Sequence, residues 1–408
     1  MRSQRTPRLG SIYRPKLEAL EDRLVPAFSV WQSGSTLFMK GTPDYDSAQI
    51  LDLGSNNINI TLFDNNNVPT VFQDFFGVNR IKIDARSGND SILYLASRAN
   101  GISPQMSIYA DMGSGDDTFA ASIITGDVVE SFSSGTTSRY FLNFQVKGGN
   151  GNDNLSLNLD TYINSQSAVS ANFDGEKGDD NIAVFFSGDN DGTVRSRLKG
   201  GSGNDLLTGI LGGDPNEPIS MTNRGTISFA FDGDSGHDDL LMNATLADGS
   251  ILVNDGTIQV GMQGGNGNDT IEVGDFSLSQ GAVVENYGTF DLNVDGSSGN
   301  DVIRLFSNAD LFSALYNEGK ISISVSGGSG NDNINGTVGL AADTTDAYFR
   351  IRVKGDSGTD YITLAAFPYG TGAGKTSASI LADSRDQLWI TEYVKVLGGR
   401  KSNIHYLV

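Results

Sequence analysis

Ten aspartates recur along this chain in one context, Gly-x-Asp followed two residues later by an apolar side chain: Asp90, Asp117, Asp153, Asp180, Asp205, Asp238, Asp269, Asp301, Asp332 and Asp360. Carboxylates set in glycine-rich turns are hard oxygen donors, and the chemistry they suggest is binding of a divalent cation such as Ca2+, with backbone carbonyls completing the shell. The intervals run from 25 to 36 residues and average 30. Were the turns stacked about 5 Å apart, neighbouring carboxylates would repel by roughly 1 kcal/mol in water and by several times that when partly buried. Such a row calls for counter-ions, protons or outward splaying. The competing reading is that Gly-Asn-Asp is simply good turn chemistry, with Asn89, Asn152, Asn204, Asn268, Asn300 and Asn331 forming an amide ladder.

The elements that would position these turns are strands. Apolar residues stand nine and seven positions before the motif Asp, as in Phe229 and Phe231, Val260 and Met262, or Ile351 and Val353, with polar residues between them. Alternation of period two marks strands with one buried face. Ala110, Ala171 and Ser196 are the weak positions of this pattern. A second marker, Asn-x-Gly-x-apolar, begins at Asn190, Asn223, Asn254, Asn286 and Asn317, always 15 residues before a motif Asp. Asn and Gly tolerate positive φ, so this is a second tight turn. Two turns at fixed separation and a third side of variable length predict an all-β repeat solenoid, a right-handed parallel β-helix of about ten coils. The alternative is an array of antiparallel hairpins forming a sandwich, which would not require the Asn-x-Gly turn to be held 15 residues away.

Composition agrees with many short strands and tight turns: 51 Gly, 9 Pro and no Cys among 408 residues. Absence of cysteine removes disulfides, thiolate metal sites and cysteine nucleophiles. A formal net charge of -21 argues against nucleic acid or an anionic membrane as partner and invites cations. No apolar run reaches about 18 residues, so no transmembrane helix is expected. The chain divides into a basic N-terminal targeting segment (1–27), an N-terminal β cap (28–78), the Gly-Asn-Asp solenoid (79–364) and a C-terminal cap (365–408). Gly41-Thr-Pro-Asp-Tyr-Asp is read as a decayed copy of the motif.

Other signals are weaker. Gly370-Thr-Gly-Ala-Gly-Lys-Thr lacks the Gly that a phosphate-binding loop needs where Tyr369 stands, and reads as a surface loop. His237 and His405 are the two histidines, not paired at ligand spacing, and are expected at the surface. Arg195 and Arg197 alternate on one strand and are expected to point outward.

Four copies, Gly148 to Asp153, Gly200 to Asp205, Gly264 to Asp269 and Gly327 to Asp332, carry Gly-Gly-x-Gly-x-Asp without exception. They resemble the RTX calcium-binding nonapeptide, although RTX repeats run in tandem every nine residues and these copies do not. The resemblance implies Ca2+ held between neighbouring coils by the Asp carboxylates and glycine carbonyls. Near the N-terminus, Leu17-Glu-Ala-Leu-Glu-Asp-Arg-Leu-Val-Pro-Ala27 resembles a short element that opens many large planctomycete proteins, and implies export. Together these features predict a non-enzymatic, extracellular or cell-surface calcium-binding protein with a structural, adhesive or matrix role and a cell-surface polysaccharide as a further partner. The alternatives are a polysaccharide-acting, lyase-like enzyme on a β-helix, marked by Asp, Arg and Lys converging on one groove, and a metal-free structural rod.

Overall fold

The computed structural model describes residues 28–64, 66–97, 103–124, 140–212, 220–245, 250–274, 283–306, 315–341, 343–369, 374–398 and 403–407. The N-terminal basic segment, the glycines at 370 and 372 and the Arg400–Lys401 pair lie outside them. Among the described residues every element is a β-strand, and no helix is long and apolar enough to cross a membrane.

The strands form two long sheets of 14 and 15 strands and a third of four. Within one coil the chain runs along the first sheet (Thr193–Ser202), turns through Gly203-Asn204-Asp205 and enters the second sheet (Leu206–Gly212). It returns through a short strand of the third sheet (Ser220–Asn223) to the first (Thr226–Ser235). Each repeat strand pairs in parallel with its equivalent in the next coil, as in Val194↔Ile227 and Leu207↔Leu240, while Asn57–Phe63 and Pro69–Phe76 add antiparallel at the N-terminal edge of the second sheet. The strands on either side of a glycine turn therefore belong to different sheets, which excludes the hairpin array and establishes the parallel β-solenoid. The parallel ladder of the first sheet holds thirteen strands, from Thr36–Lys40 to Val394–Gly398, with Ser29–Ser33 added antiparallel at its start. Among the described residues the coils number thirteen, where about ten were expected. The stack extends beyond 79–364 on both sides because coils lacking an intact motif retain the strand alternation.

Alternation decides what is inside. Along Thr226–Ser235, Ile227, Phe229 and Phe231 are buried while Ser228 and Ala230 face outward. Each apolar side chain so buried is worth about 1.5–3 kcal/mol. The weak positions Ala110, Ala171 and Ser196 still point inward, at 4%, 1% and 4% exposure, and larger neighbours fill the space. Phe173, adjoining Ala171, meets Phe119 of the opposite sheet edge-on at 6.2 Å. Arg195 and Arg197 lie exposed on the outer face, as their alternation predicts.

The predicted Asn-x-Gly turn is an internal amide ladder. Asn190, Asn223, Asn254, Asn286 and Asn317 are buried, and each of the first four donates from Nδ2 to Oδ1 of the next at 2.7–2.8 Å. A buried amide must find both donor and acceptor partners. Stacking identical residues at the strand spacing supplies them, which explains the fixed 15-residue interval.

The glycine turns show how close the coils approach. The Gly two residues before each motif Asp has φ between 124° and 156°, as at Gly267 (146°), where a Cβ would overlap the Gly236 carbonyl oxygen of the preceding coil. Two residues earlier the constraint is softer. Ser297 occupies that position at φ 71°, between Gly265 and Gly328 of the adjacent coils, and its buried Oγ has no hydrogen-bond partner. Gly267→Ala is expected to lower stability by about 3 kcal/mol or more, through strain and overlap together. Ser297→Gly is expected to raise it by about 1 kcal/mol, since relief of left-handed strain and of an orphan hydroxyl outweighs the added chain entropy. Thermal or urea unfolding of the two variants beside the parent measures both.

Candidate functional site

The turn backbone points every motif Asp inward. All ten are 0–2% exposed and form a single file parallel to the solenoid axis. The backbone N–H of each donates to Oδ1 of the Asp in the next coil, from Asp90 to Asp117 at 2.6 Å through Asp332 to Asp360 at 2.9 Å. The backbone carbonyl of each accepts from the residue after the next coil's Asp, as in Leu206 N–H to Asp180 O at 2.8 Å. One residue per coil therefore ties two coils together in both directions.

The file has one further member at each end, Asp46 in the decayed copy and Asp386, which the sequence pattern missed. Asp46 donates to Asp90 Oδ1 at 2.8 Å, and Asp360 donates to Asp386 Oδ1 at 3.3 Å. Gly41, five residues before Asp46 as Gly148 is before Asp153, marks the decayed copy as a real coil. The signal for Asp386 was only Leu388 two residues later, because Ser384 stands where the other copies have Gly.

The second carboxylate oxygen separates the ends from the middle. Asp46 Oδ2 accepts from Thr42 N–H at 2.5 Å, and Asp386 Oδ2 accepts from Asp383 N–H at 2.7 Å. In all ten predicted residues Oδ2 is buried without a hydrogen-bond partner. In eight of them it faces the glycine that opens its own turn; Asp90 and Asp117 have Ala85 and Met112 at that position. A Cβ on Gly148 would strike both Asp153 Oδ2 and the carbonyl oxygen of Gly175 in the next coil, and the same convergence occurs at Gly175, Gly233, Gly264, Gly296 and Gly327. The absent Cβ thus leaves a pocket between two oxygens that cannot bond one another.

Two species satisfy such a pair. A proton on Oδ2 turns it into a donor toward the carbonyl. A hard cation accepts both oxygens as ligands. The donor set, one carboxylate oxygen and backbone carbonyls per coil, suits Ca2+ in kind. Among the described residues no three acidic, His or Cys side chains converge, so carbonyls would have to supply much of the shell.

Burial, ahead of repulsion by neighbouring carboxylates, pushes these acids upward against the lowering effect of the N–H bond. Asp90, Asp117, Asp205, Asp238, Asp301 and Asp360 rise to about 7, and Asp153 and Asp180 to about 6. Asp269 and Asp332 rise as well, chiefly through burial.

A second file runs beside the first on the exposed side and in the opposite sense. The side-chain oxygen of Asn89 accepts from Asp116 N–H, that of Asp116 from Asn152 N–H, and so on through Asp179, Asn204, Asn268, Asn300 and Asn331 to Thr359, at 2.7–3.1 Å. His237 takes one rung, its Nδ1 accepting from Asn268 N–H at 2.8 Å. The six asparagines expected as an amide ladder thus share one file with Asp116, Asp179 and His237, joined by backbone N–H donors rather than amide to amide. His405 lies at the surface, stacked on Trp389 at 5.1 Å.

The chain matches no protein-family model, and no curated protein or solved structure is significantly similar to it.

Because the folded state holds more protons than the unfolded chain between about pH 4 and 7, stability without divalent ions should be greatest in mild acid and fall as pH rises through 6 to 7. The triple change Asp205→Asn, Asp238→Asn, Asp269→Asn keeps the Oδ1 acceptor and places an amide donor toward the carbonyl. It should raise the melting temperature at pH 8 and flatten the pH dependence, both read by calorimetry in chelator.

Proposed function

We propose that this is a secreted or cell-surface calcium-binding structural protein, adhesive or matrix-forming in role, whose Asp-containing turns take up Ca2+ and stiffen the solenoid. The observation that carries the reading is the unbroken series of ten buried carboxylates whose Oδ2 atoms lack donors while the two end members are satisfied within their own turns. The Oδ2 atoms of Asp153, Asp205, Asp269 and Asp332, in the four complete Gly-Gly-x-Gly-x-Asp turns, are the foremost ligands, with the turn carbonyls beside them. When bound, Ca2+ supplies the neutralisation that a row of ionised buried carboxylates otherwise lacks. The protein's part is to hold the carboxylates in line through the Asp N–H to Oδ1 bonds and to keep Cβ atoms out of the space beside them.

Location follows from the same chemistry. Calcium at the millimolar level found outside cells suits sites of modest affinity. The Leu17 to Ala27 element points the same way. Binding to the folded state at a hundredfold excess over Kd adds about 2.7 kcal/mol per site.

Ca2+ must displace the protons that burial retains, so uptake should be tighter at pH 8 than at pH 5. Titration followed by melting temperature should show a rise at pH 8 that is reversed by chelator and is much smaller at pH 5. Asp205→Ala and Asp269→Ala should each reduce the number of ions taken up, measured by equilibrium dialysis. A melting temperature indifferent to calcium at both pH values, with greatest stability in acid, would instead establish the metal-free rod with a protonated file.

A further inference from the structure

The outer face of the first sheet carries a trough that the aspartate file does not use. It crosses seven adjacent strands at the N-terminal end of the solenoid, from Trp31 to Lys199, and encloses about 1240 Å³. The parallel register lays two outward rows along it. One reads Phe38, Lys82, Tyr109, Gln145, Asn172, Arg197, and the other Lys40, Asp84, Asp111, Lys147, Asp174, Lys199. With Arg80 the lining has six cations against three carboxylates, in a chain whose net charge is -21. Glu176, Asp232 and Asp234, just outside the lining, pair with three of these cations, so the free positive charge is local, at Arg80 and Lys82, and that is where an anionic group would be held.

The cations are not all occupied by neighbours. Lys40 pairs with Asp84, Lys147 with Glu176, Arg197 with Asp232 and Lys199 with Asp234. Arg80 lies over the Tyr109 ring at 5.9 Å, and among the described residues neither it nor Lys82 has a carboxylate within salt-bridge distance. At the head of the trough Trp31 stacks on Phe38 at 5.2 Å with the rings 7° apart, and Trp31 remains 45% exposed. Beyond Arg197 a shallower depression of about 510 Å³ continues over Ala230 and Gly261 as far as Ser326.

We infer that this trough binds an extended acidic polysaccharide, a uronate-bearing glycan lying along the solenoid axis. Each part of the lining answers to a part of that ligand. Arg80 and Lys82 receive sugar carboxylates. Asp111, Asp174, Gln145 and Asn172 exchange hydrogen bonds with hydroxyls, and the Trp31–Phe38 surface carries the apolar face of a pyranose ring. Coils about 4.8 Å apart advance at nearly the pitch of one sugar per coil in an extended chain. The assignment rests on the adhesive reading of the protein and is independent of calcium, because the aspartate file lies inside and the trough outside.

The test uses the full chain, sodium polygalacturonate, a neutral glucan of similar length and a single-stranded oligonucleotide of similar charge, with binding measured by calorimetry both in chelator and in Ca2+. Polygalacturonate should bind most tightly, and Arg80→Ala with Lys82→Ala should weaken it about tenfold, as expected for loss of two charge-assisted contacts. Trp31→Ala should weaken polygalacturonate and leave the melting temperature within a few degrees of the parent. Equal affinity for the neutral glucan, tighter binding of the oligonucleotide, or a double variant indistinguishable from the parent in both buffers would overturn the assignment. Polygalacturonate binding that persists in a protein whose melting temperature ignores calcium would retain the trough while removing the calcium reading.

Discussion

Everything in this molecule depends on coils stacking in register at the strand spacing, and the bond that fixes that register at the turn is Asp N–H to Asp Oδ1. The bond requires the carboxylate to point inward, and pointing inward removes it from water. The same geometry that ties coil to coil therefore creates a file of acids that resist ionisation. A fold built this way cannot be indifferent to protons or cations. Its turns are both the fasteners of the solenoid and its chemically sensitive part.

The molecule handles its other polar interior differently. The Asn190 to Asn317 ladder satisfies donor and acceptor within itself, so it is neutral and complete. Asp52 is also fully buried, yet it accepts from Tyr94 Oη, Ser103 Oγ and two backbone N–H groups. Beside these, ten consecutive unsatisfied Oδ2 atoms stand out because the fold elsewhere leaves few buried polar side-chain atoms without partners. Unpaired buried anions cost several kcal/mol each unless neutralised, and this cost makes a ligand, whether proton or metal, part of the folded state.

The outer surface follows a separate logic. Parallel stacking converts each outward strand position into a row along the axis, so one residue type chosen coil by coil becomes an extended surface. On the first sheet the early coils place aromatics, cations and carboxylates in such rows, the coils from Thr226–Ser235 to Lys320–Ser329 place mainly small, amide and acidic residues there, and Tyr348–Ser357 returns to cations with Arg350, Arg352 and Lys354. A solenoid can thus change its interior and its face independently, because side chains alternate strictly between them.

The sequence by itself determined the parallel solenoid, the inward apolar face and the location of the Asp and Asn turns, because a stacked repeat writes its geometry into periodicity. Phe229 and Phe231 could be assigned to the interior from spacing alone, whereas Asn223 was legible only as a turn residue. Tertiary structure decided the rest. Only stacking revealed that the motif carboxylates are buried, that Oδ1 is bonded and Oδ2 is not, and that Asp46 and Asp386 close the file, since these depend on contacts between residues 25 to 44 positions apart. It also decided the number of coils, because Thr36–Lys40 and Val394–Gly398 stack through backbone pairing that tolerates loss of the motif. The trough was hidden for the same reason: Arg80, Tyr109 and Lys147 are remote in the chain and become one surface only when the coils are laid side by side.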